Sequence, residues 1–577
     1  MAKRWTVALA AALCGSLLAG CVIVPLPHGT LPRAGAPANG DSSIGDPYFA
    51  GMGNGGYDVR HYTIDLLVDV PGNVITGTAT ISAVATRDLS RLNLDYEGPD
   101  LLSATLNGVP CAADLLDGEM LLTLVDPLPA GAPFTATVAY AGTPGAHRAD
   151  GDGRYSLGWH HYGHGVVVAS EPTGAASWYP VNDHPSDKAT YTIRVTVAEP
   201  WEVAANGVLV DVVEADGWRT FTWQEESPMA SYLATVAIAQ FDRVDHGEIG
   251  GVPIRSYYGA AVPAWIRASY GDVGEMMAFY QDLLGPYPFA AYGVVVHDAE
   301  LGFALETQTL STFGRAEPRQ STIAHELAHQ WFGNSVSPAA WQHVWLNEGF
   351  ATYAAYLWQE HTEGPEALAE ALWDRYVTLA YDYPRTTETR ESLAQRLALL
   401  PLASVPLPPE AVREALSSLL GEVLSTGQVD ALVEEAVASF AETDGIPASA
   451  LPALVAMAPF RQVTLGMEPT TAFLTAIGLE DEVFSIGNPG PQALFDWRVY
   501  QRGALTLHAL RARLGDETFL AILREYLARY RDGIATTDDF TVVAEEVSGQ
   551  DLDAFFRAWL FETALPPIPE LGWEPPK

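Results

Sequence analysis

The sequence predicts a multidomain chain: an all-β N-terminal domain, then an α+β domain with a helical C-terminus. Three observations carry this prediction. At 577 residues the chain is too long for one core. From about 50 to 245 apolar side chains recur at every second position, as in Tyr62, Ile64, Leu66, Val68 and Val70, and again in Tyr191, Ile193, Val195 and Val197. From about 263 the period becomes helical.

The first residues read as a processing signal. Lys3 and Arg4 precede an apolar run, Trp5 to Leu18, that is too short to span a bilayer comfortably. Leu18-Ala19-Gly20-Cys21 resembles a bacterial lipoprotein box, in which cleavage leaves Cys21 lipidated. With Cys21 so used, Cys111 is the one thiol left in the mature chain, and no internal disulfide is expected. Residues 22–46, rich in Pro, Gly and Ala, read as a tether. The net charge of −40 disfavours nucleic acid, whose phosphates it would repel.

Within the β texture, Pro71-Gly72-Asn73 and Asn107-Gly108 mark turns. Trp265, Met276, Met277, Tyr280 and Leu284 suit one long amphipathic helix, which Pro286-Tyr287-Pro288 ends. Tyr292 to Val296 reads as a buried strand. The histidines 160, 161, 164 and 184 lack a clean ligand spacing and read as structural or surface residues.

The chemistry concentrates at His325-Glu326-Leu327-Ala328-His329. Residues four apart share a helix face, so two imidazoles would stand together as a zinc ion requires. Catalytic zinc usually takes a third protein ligand from another element, and Asn347-Glu348-Gly349-Phe350-Ala351 supplies Glu348. Glu326, beside the first ligand, could reach the water that such a zinc activates.

Two longer runs, His325-Glu326-Leu327-Ala328-His329-Gln330-Trp331-Phe332-Gly333-Asn334 and Trp345-Leu346-Asn347-Glu348-Gly349-Phe350-Ala351, resemble the M1 aminopeptidases, zinc-dependent gluzincins. The resemblance covers about 50 to 384 and about 490 to 565. It implies a saddle-like β domain packed beside a thermolysin-like zinc peptidase domain, with one zinc per chain and peptides with a free N-terminus as substrates. It assigns Glu171, in Ser170-Glu171-Pro172-Thr173-Gly174-Ala175, and Glu306, in Gly302-Phe303-Ala304-Leu305-Glu306-Thr307-Gln308, to the substrate's α-amine. In the second run Leu305 and Thr307 depart from the commonest family pattern, Gly-x-Met-Glu-Asn. The resemblance puts Glu306 on an edge strand that pairs with extended substrate.

The family's catalytic tyrosine matches Tyr500 best, in Val499-Tyr500-Gln501-Arg502-Gly503-Ala504. It lies about twice as far from His325 as the family pattern expects, so the resemblance implies an insertion. The organisation expected is a signal peptide at 1–20, a lipidated tether at 21–46 and a β domain at 47–245. The catalytic domain follows at 246–387, the insertion at 388–490, and the helical remainder with a Pro-rich tail at 491–577. Thr537-Asp538-Asp539 reads as a helix N-cap region. The implied protein is an extracytoplasmic aminopeptidase, lipid-anchored to a bacterial cell-envelope membrane at Cys21. An M1-like binding lipoprotein without catalysis and a zinc endopeptidase remain as alternatives. A bifunctional lipid-epoxide hydrolase of the leukotriene A4 hydrolase type shares the motif, and no residue points to its substrate.

Overall fold

The two alternating runs turn out to be partners. In the computed structural model, Tyr57–Asp69 and Ala189–Ala198 pair in parallel, with Tyr191 opposite Tyr62, Ile193 opposite Ile64 and Val195 opposite Leu66. All six side chains are buried, and the Tyr62 and Tyr191 rings stack at 5.0 Å between centroids. Period-two burial is what a sheet with one covered face demands. The structure describes residues 38–147, 157–382, 406–407, 446–447 and 485–575.

Among the described residues this pair is the centre of an eight-stranded sheet. Its order is Val208–Ala215, Trp218–Met229, Ala189–Ala198, Tyr57–Asp69, Val74–Ala85, Pro133–Gly142, Asp100–Leu106 and Val109–Pro110. A second sheet runs Ala146–His147, Leu157–His161, Val166–Ala169, Val236–Ala239 and Glu202–Ala205. A third joins Ala38–Asn39, Leu89–Asp95, Glu119–Leu128 and Ala112–Leu116.

The catalytic part opens with its own mixed sheet, ordered Phe241–Ile249, Val252–Gly259, Tyr292–Val296, Ser311–Phe313 and Ala304–Leu305. The boundary expected at 245 therefore falls inside a strand, because Phe241–Ile249 is hydrogen-bonded to Val252–Gly259. The buried strand Tyr292–Val296 forms as expected. The single helix expected from about 263 is two, Ala264–Ala268 and Val273–Leu284. Gly271 weakens the helix between them, and Tyr270 turns into the core against Tyr258 and Phe313. Trp265, expected inward, is 57% exposed.

Helices Gln320–Ala328, Trp345–Glu363 and Pro365–Asp382 follow. After the undescribed stretch come Trp497–Leu514, Asp516–Arg529 and Thr537–Ser548. The last is capped one residue earlier than expected. Thr536 Oγ1 accepts from the Asp539 N–H, and the Thr536 N–H donates back to the Asp539 carboxylate.

Two helices meet at backbone contact. A Cβ on Gly349 would lie 2.8 Å from Gly503 Cα, and one on Gly503 would lie 2.7 Å from Gly349 Cα. Any side chain at either position would push Trp345–Glu363 and Trp497–Leu514 apart. Arg502, beside this contact and fully buried, donates to the carbonyls of Trp559, Thr563, Ala558, Glu562 and Ala564. It thereby ties the second helix to the C-terminal segment. Among the described residues no helix is long and apolar enough to cross a membrane.

Candidate zinc site

His325 lies in the last turn of Gln320–Ala328, and His329 caps its end with helical backbone angles. The spacing therefore does what a helix requires, and the rings stand 4.5 Å apart. Glu348 comes from the first turn of Trp345–Glu363, packed on that helix. His325 Nε2 is 2.9 Å from His329 Nε2 and 3.2 Å from Glu348 Oε2, and His329 Nε2 is 3.5 Å from the same oxygen. A tetrahedral zinc with ligands at about 2.0–2.1 Å separates its donors by about 3.3 Å, so the triangle fits.

The surroundings fix which atoms face the metal. His329 Nδ1 donates to the Phe332 carbonyl at 3.0 Å, which leaves the Nε2 lone pair for the metal. Thr352 Oγ1 is 3.4 Å from His325 Nδ1. Glu306, Glu326 and His329 form a second grouping that could hold an ion. It fits less well, because Nε2 of His329 already points to the triad and Nδ1 is engaged by Phe332. Gly333 makes the turn possible: it sits at φ +110, where a Cβ would press on Asn347 Nδ2 at 3.1 Å and His329 Nδ1 at 3.3 Å.

Four carboxylates converge here. Glu306, Glu326 and Glu348 are buried, and Glu171 is half-buried. Among the described residues, Glu171 Oε1, Glu306 Oε1 and Glu326 Oε2 are buried without a hydrogen-bond partner in the chain. Burial, then the charges of Glu306, Glu348 and Glu326, pushes Glu171 well above the usual carboxylate range. Burial also raises Glu326, with His329 opposing and Glu306 and Glu348 adding to the rise. Burial pulls His329 down, but Glu306 and Glu348 lift it to about 10. The crowded carboxylates disfavour one another's ionisation, and a cation bound among them would relieve that repulsion.

Tyr500, in the first turn of Trp497–Leu514, stacks on His325 with centroids 6.0 Å apart. Burial raises its phenol first and Glu348 next, which sets it at the same centre. The Gly349–Gly503 contact brings it there. Glu306 sits one residue past the edge strand Ala304–Leu305, in the loop to Ser311–Phe313, rather than on the strand. Its Oε1 lies 3.9 Å from His329 Nδ1. The structure thus brings His325, His329, Glu348, Glu326, Tyr500, Glu171 and Glu306 to one centre.

Residues given no role from the sequence also belong to this centre. Tyr232 donates to the Gly333 carbonyl and accepts from Asn347 Nδ2, both at 3.3 Å. Gln330 and Asn334 reach the Glu306 backbone. The signal that could have found the last two is their place in the run after His329. The other histidines act elsewhere: buried His184 pairs with Asp46 at 3.1 Å, and exposed His164 with Asp298 at 3.1 Å. Cys21 and most of 388–490 lie outside the described residues, apart from a two-residue pairing of Pro406–Leu407 with Ile446–Pro447 and residues from 485 onward.

The Peptidase M1 N-terminal domain model matches residues 59–233. The Peptidase family M1 domain model matches 275–396 and 433–559, so its break, 397–432, falls inside the expected insertion. Glutamyl aminopeptidase of Bos taurus is 31% identical over 211 residues, 33% of this chain and 22% of the relative. Probable aminopeptidase 2 of Sulfurisphaera tokodaii is 25% identical over 430 residues, covering 70% and 43%. The chain spans between 22% and 51% of the length of the curated relatives it matches. A crystal structure of an M1 zinc metallopeptidase from Deinococcus radiodurans, a mutant bound to the substrate Tyr-Ser-Ala, superposes with a TM-score of 0.68. It is 28% identical and covers 92% of this chain and 100% of that one. Zinc is the metal for which this donor set is built.

Proposed function

The chain belongs to peptidase family M1, and from that premise we propose that it is a zinc aminopeptidase that removes single residues from the N-termini of peptides. The observation that carries this reading is the acidic pair Glu171 and Glu306, each with a buried, unpartnered oxygen beside the His325–His329–Glu348 triad. Two such carboxylates suit an α-ammonium and hold it at a set distance from the metal. An endopeptidase would need chain to pass through that position, where the acids would meet an uncharged amide.

Zinc in the triad would supply Lewis acidity, polarising the scissile carbonyl and acidifying a water. Glu326 takes the proton from the attacking water and passes it to the leaving amine. Tyr500 donates a hydrogen bond to the carbonyl oxygen as negative charge develops on it. The edge strand Ala304–Leu305 offers its free side to extended substrate.

The deciding experiment uses a panel of aminoacyl-coumarin amides, with and without a zinc chelator, beside N-acetylated forms of the best substrates. The proposal expects activity lost to chelator and to acetylation. Activity that survives acetylation would instead establish an endopeptidase, and none with zinc bound would establish a binding scaffold.

We propose further, from the Leu18-Ala19-Gly20-Cys21 box, that Cys21 carries lipid and holds the protein at an extracytoplasmic membrane face of a bacterial envelope. Mass spectrometry of the mature N-terminus tests this; an unmodified N-terminus at another residue rejects it.

A further inference from the structure

The run Gln330-Trp331-Phe332-Gly333-Asn334 does more than leave the metal helix. Gln330 Nε2 donates to the Glu306 carbonyl at 3.0 Å, and Asn334 Nδ2 donates to the same oxygen at 2.7 Å. Both amides are fully buried. Gln330 Oε1 in turn accepts from the Thr309 N–H at 2.8 Å and from Tyr287 Oη at 3.4 Å. From the β domain, Asn206 Nδ2 donates to the Gln308 carbonyl at 2.8 Å, and the Gly207 N–H donates to Thr309 Oγ1 at 2.6 Å.

Between these anchors Thr309 sits at φ +65. A β-branched residue avoids that region unless its surroundings over-determine it. The Glu306–Leu310 loop is therefore held against its own preference from both sides. The holding matters because loops place side chains less precisely than helices do. His329 and Gln330 are neighbours in sequence, so one piece of backbone carries both a metal ligand and a clamp on the amine-binding acid.

We propose that Gln330 and Asn334 are positioning residues that fix the reach from the metal triad to the Glu306 carboxylate, and with it the removal of one residue at a time. The inference rests on the aminopeptidase reading above. A carboxylate free to shift by an ångström loses the aligned, charge-assisted contact with the α-ammonium, so a peptide with a free N-terminus is held more weakly and less often in the register that exposes its first bond.

Gln330→Met removes the donor to Glu306 and the acceptor for Thr309, and Asn334→Leu removes one donor; neither adds charge. Binding is read by calorimetry in the Glu326→Gln background, with Tyr-Ser-Ala and N-acetyl-Tyr-Ser-Ala as probes and zinc content measured alongside. The expected result is at least about tenfold weaker binding of the free peptide, with the acetylated peptide changed less than about threefold and one zinc per chain retained. In the active protein the loss should fall on KM rather than kcat, and should vanish in a Glu306→Gln background. Equal weakening of both peptides, or an undiminished effect in the Glu306→Gln background, overturns the inference. Wild-type protein that hydrolyses acetylated and free peptides alike overturns the aminopeptidase reading and this inference with it. Wild-type discrimination that persists unchanged in the variants overturns this inference alone.

Discussion

Arg502 and the four glutamates of the metal centre are ionisable groups largely withdrawn from water, yet the fold treats them in opposite ways. The Arg502 guanidinium donates to five backbone carbonyls. Lys188, one of three lysines in the chain, donates to the carbonyls of Asn334 and Ser335 at 2.8 Å and of Gly533 at 3.3 Å. Glu171, Glu306 and Glu326 each keep an oxygen without a hydrogen-bond partner among the described residues, and Glu348 Oε2 faces only the two metal-binding imidazoles. Leaving one such group unmade costs about 1–3 kcal/mol, and more when it is charged. Backbone carbonyls meet the Arg502 guanidinium, whereas the glutamate oxygens of the metal centre stay open to a cation. At this centre an internal partner distinguishes the structural cation from the acids around the metal triad, although among the described residues Glu119 and Glu225 also keep unpartnered oxygens outside it.

The hardest test of that division is Glu326→Gln. If the unpartnered Glu326 oxygen is there for a proton, the amide should keep zinc and lose at least about a thousandfold in kcat. Metal analysis and steady-state rates on the same preparation read both. A variant that turns over normally would place Glu326 on the architectural side. Tyr500→Phe comes next. Losing one donor to a developing oxyanion commonly costs about 3 kcal/mol, so kcat should fall about a hundredfold while zinc stays. A loss under about tenfold would mean that the phenol packs on His325 without taking part.

Arg502→Met and Glu306→Gln sharpen the contrast as a pair. The first leaves five carbonyls short of a donor and should cost on the order of 3 kcal/mol, seen as a lower melting temperature. The second removes a charge that the fold never satisfied, so stability should hold or rise while KM for unblocked substrates climbs. Should both variants melt alike, the division between served and unserved charge would be meaningless for stability.

What could be read from the sequence divides along similar lines. His325, Glu326, His329 and Glu348 were legible because metal ligation needs particular atoms at fixed spacing. Tyr62 to Val70 and Tyr191 to Val197 were legible as strands because burial on one face imposes period two, although their mutual pairing was not. Tyr500 needed the family resemblance, since a lone tyrosine on a helix carries no spacing. The Gly349–Gly503 contact and the Arg502 carbonyl cluster were not legible, and Gln330 and Asn334 were marked only by their place in the run after His329, not by their contact with Glu306. Each depends on a backbone atom from a distant segment, which has no side chain to announce it. The break before Val273 was missed because Trp265 suits an apolar stripe equally well when exposed.

The smallest effect expected concerns Lys188, and it tests how completely that cation is served. Burial pulls its ammonium down to about 7, with Asp532 and Glu225 resisting. The unfolded chain would hold this proton up to about 10.4. Below about 7 both states are protonated, and the cost of burying the charge is present in full. Between those values the unfolded state binds the proton that the folded state has released, so stability gains with rising pH. Because Lys188 is only half-buried, the gain should stay under about 1 kcal/mol per pH unit. Melting curves from pH 6.5 to 9.5 should show wild-type protein gaining relative to Lys188→Met across that range. Parallel curves would mean that the three carbonyls keep the ammonium charged throughout, which would place Lys188 beside Arg502 as a cation the fold serves without reserve.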